Sequence, residues 1–490
     1  MTAHLPVLIV VLPLAAAVVV PLVSLASVRA AFAVACLTLA AAAVASCAAL
    51  SHVLGHGALR YDLGGWAPPW GIEYVVDPLS GGVAALITLV AVCVAVYAGP
   101  QANGGAAHGG MFHSLYLLLV AGLLGIVLTG DLFNLYVFLE ISSLAAYALL
   151  AAGGIRGAVA TFRYLIVGTI AATLYLLGTG YLYALTGTLN MADMALRLTA
   201  VADARAYGVA VVLVVIGLAI KAALFPLHGW LPDAYTYAPA PVTGFIAAVM
   251  AKVSAYALFR VLYFVTPAEG AAAQALMVLG WVSVVAVLAG SILAMAQQDI
   301  RRMLAYSSVG QMGYIVLGLA LGTPAALVGA LLHLFSHAVM KGCLFLVVGG
   351  IRWRTGIYRI SDYAGMGRRM PLSMAAFVVA ALAMIGLPPT LGFFSKWYLL
   401  SGAVEAGAWV FVVALVLSSL LGVVYFFRVF EFAYLKAPQA GQGTPPRQEL
   451  PLHMLAPILV LMAAVLVFGL LNQQVVSGII RHALPGALAP

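Results

Sequence analysis

Residues Gly217–Arg260 read GLAIKAALFPLHGWLPDAYTYAPAPVTGFIAAVMAKVSAYALFR. Two long apolar runs in this stretch each carry one lysine, Lys221 and Lys252, where hydrocarbon is expected. Between them stand four prolines, Pro226, Pro232, Pro239 and Pro241. A lysine at the centre of a membrane helix costs roughly 3 kcal/mol on insertion scales, and such residues mark functional sites. Pro226 has no N–H to donate to the carbonyl of Ala222 and its ring collides there, so the helix is expected to break or bend beside Lys221. Broken membrane helices next to ionisable groups are a recurrent way of building ion sites in transporters.

The rest of the chain has the composition this reading needs. Of its 490 residues 65% are hydrophobic and 7% charged, against about 25% charged in soluble domains. The expected fold class is an all-α polytopic membrane protein. The net charge of +8 is explained by loop asymmetry and not by nucleic-acid binding. Cys36, Cys47, Cys93 and Cys343 sit singly in apolar runs without CxxC spacing, so neither a zinc site nor a disulfide framework is expected. The N-terminus lacks a basic region and a small-residue cleavage site, and reads as a first span.

A span needs about 20 apolar residues. Runs that long fall near 4–26, 30–54, 78–99, 111–129, 132–152, 158–185, 206–228, 239–264, 273–297, 301–321, 324–350, 371–400, 407–432 and 452–472, about fourteen transmembrane helices. Four lysines lie inside these spans: Lys221, Lys252, Lys341 and Lys396. The other eighteen basic residues split thirteen to five between alternate loops. The richer set, which includes Arg156, Arg301, Arg302 and the run Arg352–Arg369, is expected on the cytoplasmic side, leaving both termini outside the cytoplasm. The Arg352–Arg369 run reads as a positive-inside anchor. The segment LRYDLGGWAPPWGIEYVVDPLS between spans two and three reads as a short outer hairpin or loop with Trp66 and Trp70 near the interface. Lys436–Glu449, KAPQAGQGTPPRQE, reads as a flexible linker before the last helix.

Span five, DLFNLYVFLEISSLAAYALL, holds Glu140, the one carboxylate well inside a span. Its natural partner is Lys221 or Lys252, and in such a pair each group sets how tightly the other holds a proton. In span eleven His333, His337 and Lys341 recur every four residues and share one helical face. Histidine titrates near neutral pH and either ring nitrogen can carry the proton, so this row suits proton relay. Zinc binding by the two histidines has no HExxH pattern or nearby carboxylate to support it, so no metal is expected. Satisfied polar packing between helices is the bland alternative. In span twelve Pro388 and Pro389 interrupt the helix and Lys396 follows. This repeats the logic of span seven, although snorkelling of Lys396 to an interface is a rival reading. Spans seven and twelve are five apart, and an odd offset reverses direction in the membrane. Two inverted five-helix repeats are therefore expected, 111–264 and 273–432, preceded by a three-helix segment with its outer loop (1–110) and followed by a last helix and short tail (451–490).

The segments LFPLHGWLPDAYTYAPAPVTGFIAAVMAKVSAYALFR, DIRRMLAYSSVGQMGYIVLG, HLFSHAVMKGCLFLVVGGI and LPPTLGFFSKWYLL resemble the antiporter-like subunits of Mrp-type sodium/proton antiporters, respiratory complex I and membrane-bound hydrogenases. The resemblance covers nearly the whole chain. It implies a fourteen-helix fold of two inverted repeats and a proton route through Glu140, Lys221, Lys252, His333, His337, Lys341 and Lys396. It is nearest to the D-type subunits of Mrp antiporters, because Lys396 stands where one complex I branch has glutamate and the tail after the last span is short.

Two functions follow from the resemblance: a secondary antiporter subunit exchanging sodium for protons, or the proton-pumping module of a redox complex. A scaffold that conducts nothing is disfavoured by the full set of intramembrane ionisable groups. There is no P-loop, dinucleotide fingerprint or cysteine cluster, so no nucleotide, flavin, quinone or iron–sulfur cofactor is expected in this chain. The expected partners are other hydrophobic antiporter subunits, a larger homologous one among them, with protons, Na+ and membrane lipid. The lone carboxylate Glu140 favours protons here and sodium elsewhere in the complex, while free backbone carbonyls at the helix breaks leave sodium passage through this chain as the alternative. The expected location is a bacterial inner membrane.

Overall fold

A computed structural model describes residues 2–99, 106–436 and 447–485. Most of the anticipated linker Lys436–Glu449 lies outside the described residues. The chain is helical almost throughout. In order the principal helices are α1 (Leu5–Ala26), α2 (Val28–His56), α3 (Pro78–Ala98), α4 (Ala106–Leu128), α5 (Leu132–Ala151), α6 (Gly154–Thr186), the short α7 (Met191–Leu198), α8 (Arg205–Lys221), α9 (Leu231–Tyr237) and α10 (Ala240–Val265). They continue as α11 (Ala271–Met295), α12 (Ile300–Leu321), α13 (Pro324–Thr355), α14 (Pro371–Ile385), α15 (Leu391–Glu405), α16 (Trp409–Leu435) and α17 (Leu452–Leu470).

Twelve helices among the described residues are long and apolar enough to cross a membrane. The two expected spans missing from that number are the seventh and the twelfth. The twelfth appears as two shorter helices around a break, α14 and α15; the seventh appears as α8 ending in a break at Lys221, with the short α9 following beyond the expected end of the span. These are the spans whose prolines predicted interruption.

Between α2 and α3 the chain forms the anticipated hairpin. Strands β1 (Leu59–Asp62) and β2 (Glu73–Val76) pair antiparallel, with Arg60 opposite Val75. Trp66 and Trp70 are exposed on the connecting loop. Asp77 caps α3 by accepting from the Ser80 N–H at 2.8 Å while Ser80 Oγ accepts from the Asp77 N–H, a reciprocal capping box.

Packing divides the helices into two kinds. Much of the surface of α1, α2, α6 and α16 faces outward and is apolar, as lipid contact requires. Helices α10 and α13 are buried along nearly their whole length. Small residues permit the closest approaches. A Cβ on Gly217, one turn before Lys221, would lie 2.6 Å from the Ala171 carbonyl of α6. This is how α8 comes to lie against α6 just where the lysine sits.

Candidate functional site

The first break is built from the sequence outward. α8 ends at Lys221 itself, one turn before Pro226. Ala223 takes a left-handed backbone, φ 54°, which non-glycine residues adopt rarely. The turn recovers hydrogen bonds for the exposed carbonyls: the Leu224 N–H donates to the Ala219 carbonyl at 3.0 Å, and the Trp230 indole donates to the Ile220 carbonyl at 2.9 Å. The break therefore leaves Lys221 at the carbonyl end of a half-helix, the end whose dipole favours a cation. Its ammonium donates to Ser143 Oγ at 2.7 Å and stands 3.7 Å from Glu140 Oε1. Of the two candidate partners for Glu140, the structure selects Lys221. The pair is unequal in setting: Lys221 is 3% exposed and Glu140 30%.

Lys252 is buried near the middle of α10 and its ammonium donates to the Ala247 carbonyl. The residues just before it, Ile246–Met250, form a π-helical turn, a distortion that often accompanies functional sites. Hydropathy gives no sign of this turn, and the sequence predicts a regular span. No hydrogen bond joins Lys252 directly to Lys221 among the described residues. Lys252 is instead within electrostatic reach of Lys341 and His337.

The span-eleven row lies on α13 as predicted, wholly buried. Lys341 donates to the Leu304 carbonyl at 2.7 Å and to Ser307 Oγ, both from α12. His337 stacks on His333 with centroids 5.9 Å apart. His333 Nδ1 is 2.9 Å from Ser395 Oγ and its Nε2 is 2.8 Å from Gln311 Oε1. A hydroxyl can give or accept, and an amide offers either role at its two ends, so these partners suit either histidine tautomer.

Lys396 does not snorkel. It is 7% exposed, and its ammonium turns back across the second break to donate to the carbonyls of Met384, at 2.8 Å, and Ile385, at 3.1 Å. It also donates to Ser419 Oγ at 3.1 Å. Gly386, with φ 98°, ends α14 two residues before Pro388 and Pro389. The break therefore begins at a glycine cap that the proline reading passes over. Lys396 lies 4.8 Å from the centre of the Tyr314 ring, which in turn stacks on His333. Tyr314 and Ser419 are linked through their hydroxyls at 3.1 Å.

Lys396, Tyr314, His333, His337 and Lys341 thus form one buried file, reached electrostatically by Lys252, with Lys221 and Glu140 as a separate pair. The seven predicted ionisable residues are all in these two groups. Their polar supports Ser143, Ser307, Gln311, Tyr314, Ser395 and Ser419 escape sequence reasoning, because isolated Ser, Gln and Tyr residues in apolar helices are common and carry no period of their own. Another acid with structural weight is Asp233 in the first break, which accepts from Arg163 of α6 at 2.9 Å and Arg302 of α12 at 3.0 Å. At the opposite end of α10, Arg260 pairs with Asp77 and its Nε donates to the Tyr256 hydroxyl at 2.8 Å. These residues border a cavity of about 230 Å³ beside the hairpin.

The family described as "NADH:quinone oxidoreductase/Mrp antiporter, TM" matches residues 129–422, which include every ionisable residue of the two groups. The chain is similar to a protein named NADH-quinone oxidoreductase subunit N from Desulforudis audaxviator, with 58% identity over 100% of both chains. It is similar also to the D-type Na(+)/H(+) antiporter subunit of Bacillus subtilis, with 29% identity over 89% of this chain and 88% of that one. Among solved structures, a chain of the Mrp complex from Dietzia sp. superposes with a TM-score of 0.90 and 28% identity, covering 100% of this chain and 98% of that one. A chain of the membrane-bound sulfane sulfur reductase, an archaeal respiratory membrane complex, gives 0.90 and 28%, covering 98% and 97%.

Proposed function

The chain belongs to the NADH:quinone oxidoreductase/Mrp antiporter transmembrane family, and on that premise we propose that it is a proton-translocating subunit of a multisubunit membrane complex. The observation that carries this reading is the buried file Lys396–Tyr314–His333–His337–Lys341, in which Lys396, His333 and Lys341 each touch a hydroxyl or amide group able to take or return a proton and His337 stacks on His333 between them. The file has no purpose in packing that apolar residues would not serve better, since buried charges are costly unless paired.

In this reading protons pass along Lys341, His337 and His333 to Lys396, with Lys252 as the link toward the first half. The Glu140–Lys221 pair is the control point. Displacing Glu140 by a fraction of its 3.7 Å separation changes how tightly Lys221 holds its proton, and that change acts on Lys252 through the low-dielectric interior. The two breaks are the movable parts, the first at Pro226 and the second at Pro388 and Pro389. Their matching placement supports two inverted repeats, 111–264 and 273–432. Glu140 is the sole carboxylate well within the spans, and sodium prefers several oxygen ligands, so protons move here and sodium is carried by a partner subunit.

The host complex is a cation/proton antiporter in a bacterial inner membrane, with this chain in the D-type position beside other hydrophobic subunits, one of them larger and homologous. The 29% identity over most of both chains to the D-type Na(+)/H(+) antiporter subunit of Bacillus subtilis supports this, whereas the structural likeness is equal for the Dietzia Mrp chain and the sulfane sulfur reductase chain. The placement of basic residues supports both termini outside the cytoplasm. A second reading, the proton-pumping module of a redox-driven complex, is favoured by the 58% identity to a relative named for NADH-quinone oxidoreductase. Purification of the tagged protein from its native membrane in mild detergent separates the two. Small hydrophobic subunits and a larger homologue mean the antiporter; co-purifying flavin, nickel or iron–sulfur subunits mean the redox complex. In either, loss of proton flux in an intact Lys221→Ala assembly is expected, and retained flux would refute translocation through this chain.

A further inference from the structure

A second cavity, of about 410 Å³, opens at the end of the molecule opposite the hairpin, where α9, α10, α12 and α13 meet. Its principal lining residues are Tyr237, Thr243, Arg301, Phe345, Arg352 and Trp353. No carboxylate among the described residues lines it. Arg301, near the start of α12, is only 7% exposed, and its Nε is buried without a hydrogen-bond partner among the described residues. Its Nη2 is 3.7 Å from the Asp299 carboxylate, beyond good hydrogen-bond length, and that carboxylate already caps α12 by accepting from the N–H groups of Arg301 and Arg302. Arg352, near the end of α13, is exposed and has no ion partner among the described residues. The two guanidinium groups are close enough to interact through space. A guanidinium is planar, permanently charged and forked to match two oxygens at once. A buried guanidinium left partly unpartnered, facing a second one across a cavity free of acids, is a site in need of an anion.

We propose that this cavity binds the phosphate group of an anionic lipid headgroup. Three features select phosphate on a lipid. The cavity lies at helix ends, on the side that the basic residues assign to the cytoplasm, where anionic lipid concentrates. Trp353 at its rim is 61% exposed, an aromatic at the level where a membrane interface begins. The volume falls within the range of pockets that hold small organic groups. The neighbouring Asp233 is held by Arg163 and Arg302 and does not compete for Arg301. The lipid would join the start of α12 to the end of α13, directly above Phe345, whose ring lies 5.9 Å from the Lys341 ammonium.

The test uses the complex purified from its native membrane. Delipidated complex is titrated with phosphatidylglycerol, with phosphatidylcholine of the same chains, and with inorganic phosphate, and thermal unfolding and native mass spectrometry are followed. Phosphatidylglycerol is expected to raise the unfolding temperature and to remain bound in the spectrometer, with phosphatidylcholine silent. Arg352→Gln, on an exposed residue that the fold does not need, is expected to weaken half-saturation by about tenfold, as loss of one charge-assisted hydrogen bond would. Arg301→Lys keeps the charge but not the fork and is expected to weaken it as well. A shift with inorganic phosphate equal to that with phosphatidylglycerol would overturn the lipid as occupant. Equal responses to the two lipids, or an unchanged response in both variants, would overturn the site. None of these readouts depends on proton transport, so failure here leaves the proposed function standing, and the converse.

Discussion

His333 and His337 stack one turn apart with their rings 10° from parallel, yet only His333 has a partner for each ring nitrogen. Both nitrogens of His337 are buried without a hydrogen-bond partner among the described residues. An unsatisfied buried polar group costs about 1–3 kcal/mol. A residue retained at that cost in the middle of a charged row serves something other than stability.

His337→Leu is therefore expected to leave thermal stability unchanged or slightly raised while lowering proton flux in proteoliposomes at least about tenfold. His333→Leu strands Ser395 and Gln311 and is expected to lower both, by about 1–3 kcal/mol in stability. If the two variants behave alike in unfolding and in flux, the distinction between them is wrong.

Lys221→Ala leaves Glu140 and Ser143 without the ammonium that holds them together. Flux is expected to fall to background in an assembly of normal composition. The double variant Glu140→Gln with Lys221→Gln is expected to unfold at a higher temperature than Lys221→Ala, because it leaves no lone carboxylate. Its flux should be equally absent. A double-mutant cycle on unfolding temperature reads the coupling directly.

The second break depends on a close approach. A Cβ on Gly392 would lie 1.9 Å from the Ala383 carbonyl, across the turn between α14 and α15. Gly392→Val is expected to force the half-helices apart, at a cost of about 1–3 kcal/mol or more. Fluorescence-detected size exclusion should show loss of the monodisperse peak. Gly180 has open space around it, and Gly180→Val is the control that should not.

At the outer edge of the fold, burial pushes the Asp77 carboxyl up, but the Arg260 guanidinium and the Ser80 hydrogen bonds outweigh it and hold it below the ordinary value of 3.8. A carboxylate whose folded value is depressed contributes stability above its unfolded value and loses it as pH falls through the folded one. Stability from this pair should be constant from neutral pH down to about 4 and then decline. Asp77→Asn should remove that decline and lower stability at neutral pH. Unfolding temperature measured from pH 7 to pH 3 for both proteins decides it.

The fold was legible because membrane helices announce themselves by length and the prolines and lysines of spans seven and twelve mark the two that do not run through. Lys221, Lys252, His333, His337, Lys341 and Lys396 stood out because charge in an apolar run is conspicuous, and Glu140 because it is alone. What could not be read was pairing. Nothing in the sequence distinguishes Lys221 from Lys252 as the partner of Glu140; the ending of α8 at Lys221 and its contact with Ser143 do. Nor does sequence reveal that Lys396 reaches back to the Met384 carbonyl, since the same spacing allows the side chain to run outward. The π-turn at Ile246–Met250 was equally hidden, because it alters hydrogen bonding without altering hydropathy.

The burial of α10 on all sides has a consequence for how the protein is made. A Cβ on Gly244 would lie 2.4 Å from the Leu346 side chain, so α13 packs closely on α10 and is part of the wall around it. Synthesis proceeds from the N-terminus, and α10 enters the membrane before α13 has been translated. During that interval Lys252 has no completed enclosure. A chain interrupted before α13 leaves that lysine without its enclosure, so it must give up its proton, snorkel or find another partner, and α10 is not stably seated until α13 arrives.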